Sequence, residues 1–239
     1  MRKTWSALPL CLALGVTAAA ASPAREARAA GGSIKGTVKL DGKAPERKDV
    51  SMVTDAFCAG RPAVKDEEVV VGGAGQLKNV VVRIAKGVAA PTPAPSKSVV
   101  LDQNGCMYRP RVVVAQAGQQ VEIRNSDQTM HNIHTYKGKQ TLFNEIHVQG
   151  MPPRMKPVPK VGDVVKFKCD VHPWMTGWLL VTDSPYFAVT GDDGKFEIPQ
   201  VPPGKYTVEV WHEKYGSQTQ EVTVAEGKPV ELKLSFKAN

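Results

Sequence analysis

The segment CDVHPWM (169–175) brings together three side chains that bind soft or borderline metal ions. Cys169 supplies a thiol, His172 an imidazole and Met175 a thioether within seven residues. With a second imidazole, these groups make the ligand set of a type 1 copper site, where two histidine nitrogens and a thiolate lie in one plane and a methionine sulfur is more distant. The alternative is a packed turn with an incidental thiol, because Cys and Met also have ordinary roles in protein cores.

A second imidazole is available upstream, in the segment NSDQTMHNIH (125–134). This segment contains His131 and His134 and follows a predicted strand over 120–124, just as Cys169 ends another strand. The ligands are therefore expected at two strand ends. A structural zinc site is less favoured, since zinc prefers cysteine and histidine and rarely needs methionine. A c-type haem would require C-x-x-C-H, which the sequence lacks.

Short β-strands are the elements predicted to position these ligands. Apolar residues alternate with lysines over 165–169, so the pleat directs the Cys169 thiol inward at a strand end. Residues 178–181 form the next predicted strand, which makes the CDVHPWM segment a loop between two strands. Valine is abundant, glycine (21) and proline (18) are frequent, and no block shows a sustained helical period. The sequence therefore predicts an all-β protein.

The N-terminus has the pattern of a secretory signal peptide over residues 1–29. Two basic residues precede the apolar run LPLCLALGV (8–16), which is too short to span a bilayer. Small residues follow, and cleavage is predicted after Ala21 or after Ala29. No later segment is apolar enough to predict a membrane span. We therefore expect an exported protein, periplasmic or extracellular.

The net charge narrows the classes of partner. It is +8 for the whole chain, and removal of residues 1–29, with four positive charges and one negative charge, leaves +5. This modest positive charge favours an acidic redox protein as partner over nucleic acid, because no basic-aromatic motif accompanies it. No nucleophile–base pair and no pair of acids stands out, so the protein is not expected to be an enzyme.

Export also determines the expected state of the cysteines. Cys58, Cys106 and Cys169 remain after the signal segment, and an oxidising compartment favours pairing of two of them. Cys169 has histidine and methionine neighbours, whereas the other two have no ligand residues beside them. The predicted disulfide is therefore Cys58–Cys106, which leaves Cys169 as a metal ligand.

Residues 97–183 resemble a cupredoxin of the amicyanin and plastocyanin kind. The resemblance lies in the run G-x-x-V-x-x-x-N-x-D (118–127), in His131 followed by asparagine, and in C-x-x-H-P-x-M. It implies a Greek-key β-sandwich that holds one copper ion cycling between Cu(I) and Cu(II). The ligands that the resemblance implies are His131, Cys169, His172 and Met175, with His134 in reserve.

The same resemblance implies roles for residues around the ligands. Asn132 is expected to join the two ligand loops and to aim its backbone N–H at the Cys169 sulfur, a contact that tunes the reduction potential. Asp170 departs from the family, in which Ser or Thr often follows the cysteine. Its carboxylate is expected to favour Cu(II) and to disturb the link between the loops. The imidazole of His172 is expected to reach the surface and to pass the electron to a partner.

The segments on either side resemble a different family. Residues 184–239 contain GDDGKFEIPQVPPGKYTVEV and are similar to the second half of a carboxypeptidase-regulatory-like, or transthyretin-like, β-sandwich. Residues 33–96, with IKGTVKLDGKAP and NVVVRI, look like its first half. This implies a smaller Ig/transthyretin-like sandwich into which the cupredoxin is inserted; alternatively, 33–96 belongs to the cupredoxin. The Asp-Gly turn at 192–194 predicts a hairpin.

The sequence therefore predicts an exported mononuclear blue copper protein that transfers single electrons between redox partners. One alternative is a copper carrier or buffer, which would use the same ligands in an exposed, exchangeable site. The other is a non-metal adhesion or sugar-binding sandwich, which would apply if the ligand residues did not converge in space.

Overall fold

The computed structural model describes Met1, residues 30–89 and residues 92–238. Apart from Met1, the predicted signal segment lies outside the described residues. Sixteen β-strands and one four-residue helix make up the secondary structure of the described part, so the all-β prediction is confirmed. None of the helical structure in that part is long and apolar enough to cross a membrane.

The elements follow one another in short segments along the chain. They are β1 (Gly32–Asp41), α1 (Ala56–Ala59), β2 (Val81–Lys86), β3 (Val99–Gln103), β4 (Tyr108–Arg109), β5 (Val112–Gln116), β6 (Gln120–Asn125), β7 (His131–Lys137), β8 (Gln140–His147), β9 (Arg154–Pro157), β10 (Val164–Lys168), β11 (Thr176–Thr182), β12 (Phe187–Val189), β13 (Lys195–Val201), β14 (Gly204–His212), β15 (Gly216–Val224) and β16 (Pro229–Lys237).

The strands form four sheets that pack as two sandwiches. In the first, a five-stranded sheet (β5-β11-β10-β7-β8) faces a four-stranded sheet (β4-β3-β6-β9). Leu101 and Ile123 from the smaller sheet share a buried cluster with Phe167 from the larger. In the second, β12-β2-β14-β15 faces β13-β1-β16 around a separate cluster that includes Ile34 and Val208. The predicted pair of sandwiches is therefore present.

The second sandwich takes its strands from both sides of the first. β1 pairs in antiparallel fashion with β13 and in parallel with β16. β2 pairs with β12 and with β14. Strands that precede residue 97 thus share sheets with strands that follow residue 183. This pairing supports the inserted arrangement, with 33–96 and 184–239 as two halves around 97–183, although the domain boundaries themselves stay a prediction.

The Asp-Gly turn at 192–194 does not close a hairpin, so that prediction is wrong. The turn forms, with Gly194 N–H donating to the Gly191 carbonyl at 3.0 Å. However, β12 before it pairs with β2, whereas β13 after it pairs with β1 in the facing sheet. The turn motif indicates where the chain reverses direction, but the partner of each strand depends on segments that are distant in the sequence.

The two sandwiches meet through an apolar patch and a buried ion pair. The patch consists of Val81, Val112, Val114, Leu180 and Trp211. Beside it, Arg111 donates to the two carboxylate oxygens of Glu213 at 2.5 and 2.8 Å. Trp178 Nε1 donates to the same carboxylate at 2.9 Å. Both charged side chains are almost fully buried, so each depends on the other to remain inside the protein.

Candidate metal centre

Three neighbouring strands of the five-stranded sheet, β7, β10 and β11, bring the candidate ligands together at one end of these strands. β10 lies between β7 and β11 and pairs in antiparallel fashion with both. His131 is the first residue of β7, and Cys169 directly follows the last residue of β10. His172 and Met175 lie in the loop that leads from β10 into β11. The prediction that CDVHPWM joins two strands is therefore confirmed.

The side chains of His131, Cys169 and His172 converge. Their candidate ligand atoms all lie within 4.8 Å of one another. The two Nδ1 atoms of the histidines are 2.8 Å apart, and the Cys169 sulfur is 3.7 Å from His172 Nδ1. All three residues are buried. The two segments that the sequence singled out thus meet at a single point inside the protein.

Met175 is buried in the apolar cluster that also contains Cys169 and Phe167. Its backbone N–H donates to the His172 carbonyl at 2.9 Å, which closes the loop into a tight turn. The role of Met175 as a fourth ligand stays a prediction.

Each histidine is held at Nε2 by a carboxylate. His131 Nε2 is 3.0 Å from Asp127 Oδ2, and His172 Nε2 is 3.3 Å from Asp55 Oδ2. A carboxylate accepts a hydrogen bond, so each Nε2 carries its hydrogen toward the carboxylate. Both rings therefore present Nδ1 to the centre of the cluster, and a carboxylate at the opposite nitrogen is the arrangement common for metal-binding histidines.

The ionisation of the three groups follows from their surroundings. Burial lowers the pKa of His131, but the hydrogen bond to Asp127 and the interaction with Cys169 outweigh it and raise the pKa to about 8. Burial and the charge of His131 lower the pKa of His172. Burial raises the pKa of the Cys169 thiol, but its contacts with His131, the Asn132 N–H and His172 outweigh this and lower it. The thiolate, the form that binds metals, is thereby favoured.

Asn132 joins the two ligand segments. Its backbone N–H points at the Cys169 sulfur at 3.5 Å, in the geometry that the family resemblance implies. Its side-chain oxygen accepts from the Asp170 N–H at 2.5 Å, and its side-chain nitrogen donates to Asp170 Oδ2 at 2.9 Å. The expectation that Asp170 disturbs this link is therefore wrong, because the carboxylate accepts a hydrogen bond from the amide and adds a second connection.

His134, the reserve ligand, lies on the other face of β7. Its Nδ1 is 2.9 Å from Asp170 Oδ2, and its Nε2 is 3.0 Å from the Thr141 hydroxyl. Residues three apart in a strand point to opposite faces, so His131 and His134 cannot both face the Cys169 sulfur. The structure therefore brings His131, and not His134, to the cluster.

The predicted disulfide is present, but its position was not anticipated. Cys58 and Cys106 are bonded, and Cys169 is the free cysteine of the described residues. Cys58 Sγ lies 3.8 Å from His172 Nε2, so the bond borders the ligand cluster.

The segment of residues 50–64, here called the cap, packs over the ligand loop. The expectation that His172 reaches the surface is wrong, because the cap leaves it 0% exposed.

No role was predicted for Asp55 from the sequence, and Asp127 was used only as the end of the run 118–127 and not as a partner of His131. Asp127 follows a strand and precedes His131 by four residues, a spacing that could have suggested a carboxylate beside the ligand. Asp55 precedes Cys58 by three residues, but no local pattern indicates that its segment packs against a loop more than one hundred residues away.

Comparisons with known proteins return both resemblances. Residues 179–237 match the family model of the carboxypeptidase regulatory-like domain. Among solved structures, a purple cupredoxin from Nitrosopumilus maritimus has 23% identity and a TM-score of 0.32, over 36% of this chain and 100% of that one. Amicyanin from Paracoccus versutus has 21% identity and a TM-score of 0.32, over 42% of this chain and 96% of that one.

A third match is a copper-containing nitrite reductase from Thermus scotoductus. It has 22% identity and a TM-score of 0.32, over 41% of this chain and 25% of that one. The search of curated proteins found no match. The matched family model thus covers residues 179–237, and the copper hypothesis depends on the geometry of the ligand cluster.

Proposed function

We propose that this protein binds one copper ion in a type 1 site and transfers single electrons between redox partners. The observation that supports this most is the buried convergence of one thiol and two imidazoles, with both Nδ1 atoms directed inward. Copper, when bound, supplies the Cu(I)/Cu(II) couple. His131, Cys169 and His172 would hold it, with Met175 as the more distant ligand.

The donor set fits copper better than zinc. A thiolate, two imidazoles and a buried thioether match the His₂Cys-Met combination of blue copper sites. Structural zinc sites use four cysteine or histidine ligands, and the described residues place one free thiol and two imidazoles in the cluster. The non-metal adhesion or sugar-binding alternative applied if the ligand residues lay apart. Since the thiol and the two imidazoles lie together, we favour the metal site.

The surroundings of the cluster favour electron transfer over copper delivery. Transfer is fast when the two oxidation states share nearly one geometry, whereas delivery requires ligands that open. Here the ligands extend from paired strands, the Asn132–Asp170 contacts join their loops, and the cap covers His172. Release of copper would require packed segments to separate.

The N-terminal segment, the disulfide and the net charge support a cellular location and a class of partner for this protein. We place it outside the cytoplasm, because the signal-like N-terminus and the Cys58–Cys106 disulfide are both typical of exported proteins. Its partners would be redox proteins, with an acidic surface favoured by the positive charge of the chain. In this role the protein carries electrons and is not itself an enzyme.

Voltammetry and copper exchange together test this function. The proposal predicts a reversible one-electron wave and slow loss of copper to excess chelator in both oxidation states. Rapid loss in both states without a reversible wave would instead support a copper carrier. A protein that binds no copper at micromolar concentration would contradict both readings.

A further inference from the structure

The cap is held over the ligand loop by a disulfide to Cys106 and by apolar contacts with Trp174. The disulfide joins Cys58 of the cap to Cys106, just beyond β3. Around it, Met52, Cys58, Cys106 and Met107 form a small buried cluster. Trp174 of the ligand loop packs against this cluster, and its indole N–H donates to the Cys106 carbonyl at 2.9 Å. The cap therefore rests directly on the loop that carries His172.

Asp55 is the cap residue whose carboxylate faces the ligand cluster. Its Oδ1 accepts from the Cys58 N–H at 2.9 Å and so caps the start of α1. Its Oδ2 accepts from the Thr129 hydroxyl at 2.8 Å and lies 3.3 Å from His172 Nε2. The carboxylate is thus held from two sides, by the cap and by the segment before His131, in a position facing the imidazole.

We propose that Asp55 is a positioning residue of the copper site. By accepting the Nε2–H of His172, it fixes the tautomer and ring orientation that aim Nδ1 at Cys169. Its negative charge, close to a ligand, stabilises Cu(II) relative to Cu(I) and lowers the reduction potential. This inference rests on the proposed function, and it adds a residue from outside the cupredoxin-like segment to the ligand environment.

The geometry of His172 requires such a partner. With the cap in place, the imidazole has no access to water, so its Nε2–H must be satisfied by the protein. Asp55 Oδ2 is the carboxylate oxygen within 4 Å of Nε2. Metal-bound histidines are commonly held in this way by a carboxylate, and loss of the carboxylate weakens metal binding.

The substitution Asp55→Asn separates this role from the capping of α1. Asparagine is as good an N-cap as aspartate, so the start of the helix is retained through the side-chain oxygen. The amide nitrogen then faces the His172 Nε2–H, and two donors oppose each other. Asp49→Asn is the matched control, because Asp49 directly precedes the cap and is exposed, with its carboxylate 3.2 Å from Lys65 Nζ.

Three measurements compare these variants with the unmodified full chain. We expect Asp55→Asn to weaken copper binding by about 10- to 100-fold and to raise the reduction potential, while Asp49→Asn changes neither. Nitrogen-15 NMR of the copper-free chain should find the Nε2–H tautomer of His172 in the unmodified protein and in Asp49→Asn, but a loss of that preference in Asp55→Asn.

The outcomes separate this inference from the proposed function. If Asp55→Asn matches Asp49→Asn in affinity, potential and tautomer, the positioning role is overturned while the copper function stands. If the unmodified chain fails to form a redox-active copper site, the proposed function fails. The tautomer measurement then still decides whether Asp55 orients His172.

Discussion

The Nδ1 atoms of His131 and His172 lie 2.8 Å apart at the centre of a buried cluster, although the two residues are separated by 41 positions in the chain. Each ring is turned into this arrangement by a carboxylate at its opposite nitrogen. With a hydrogen on each Nε2, two neutral rings face each other through unprotonated Nδ1 atoms, which is a costly arrangement for a core because neither nitrogen can donate to the other. It is the arrangement expected where a metal ion binds.

The two histidines of the HNIH segment should respond differently to substitution. His131→Ala removes an inward-facing nitrogen, so we expect loss of the visible absorption of the copper-loaded protein and much weaker copper binding. His134→Ala should retain both, because His134 contacts Asp170 and Thr141 on the opposite face of β7. Copper titrations followed by absorption measure this directly. Equal loss in both variants would show that the ligand assignment is wrong.

Removal of the Cys58–Cys106 bond should loosen the cap. The bond joins residues 48 positions apart, and the chain-entropy model assigns a loop of that size about 4 kcal/mol of stability. We expect the Cys58→Ser, Cys106→Ser double variant to unfold at lower urea concentration and to lose copper to chelator faster. Replacing both cysteines avoids a new free thiol near the site. Unchanged copper loss would mean that the cap does not restrict access.

The buried ion pair between the sandwiches should be sensitive to loss of one partner. Glu213→Ala leaves Arg111 charged and unpaired inside the protein, which typically costs about 3–5 kcal/mol. The Trp178 indole N–H loses its acceptor as well. Thermal or urea unfolding measures this loss. Asp193→Ala serves as the control, since its contact with Lys195 is exposed; an equally small effect of both substitutions would contradict the assigned importance of the pair.

Acid should destabilise the second sandwich through His212. Burial, and then the charge of Arg111, lower the pKa of His212 from 6.5 to about 4, so the folded state favours the neutral ring. The contribution of neutral His212 to the free energy of unfolding is therefore fully present above about pH 6.5. It is lost as the pH falls toward 4, because the unfolded chain binds the proton at a higher pH than the folded protein does. Unfolding free energies across this range should fall less steeply for His212→Asn. Parallel pH profiles would contradict this role.

The ligand loop was predictable because its signals are local. The alternation that ends at Cys169 directs its thiol inward, and the short spacing to His172 and Met175 keeps all three in one loop. The choice between His131 and His134 came from the family resemblance, and strand alternation gives its physical reason. The strand β7, which begins at His131, was itself not predicted.

The parts that sequence reasoning missed depend on distant segments. Nothing in the composition around Asp55 indicates that it lies beside His172, 117 positions later in the chain. The same holds for β12 and β13, whose turn was identified but whose partners, β2 and β1, come from the beginning of the chain. Such long-range pairings are determined by the packing of whole sheets and leave no local pattern.

The absorption spectrum of the copper-loaded protein decides whether Cys169 belongs to a type 1 copper site. With one copper bound per chain, we predict an intense visible band in the Cu(II) form, caused by charge transfer from the Cys169 thiolate. The band should disappear on reduction and should be absent from Cys169→Ser. A colourless Cu(II) protein with full copper occupancy would contradict the type 1 site.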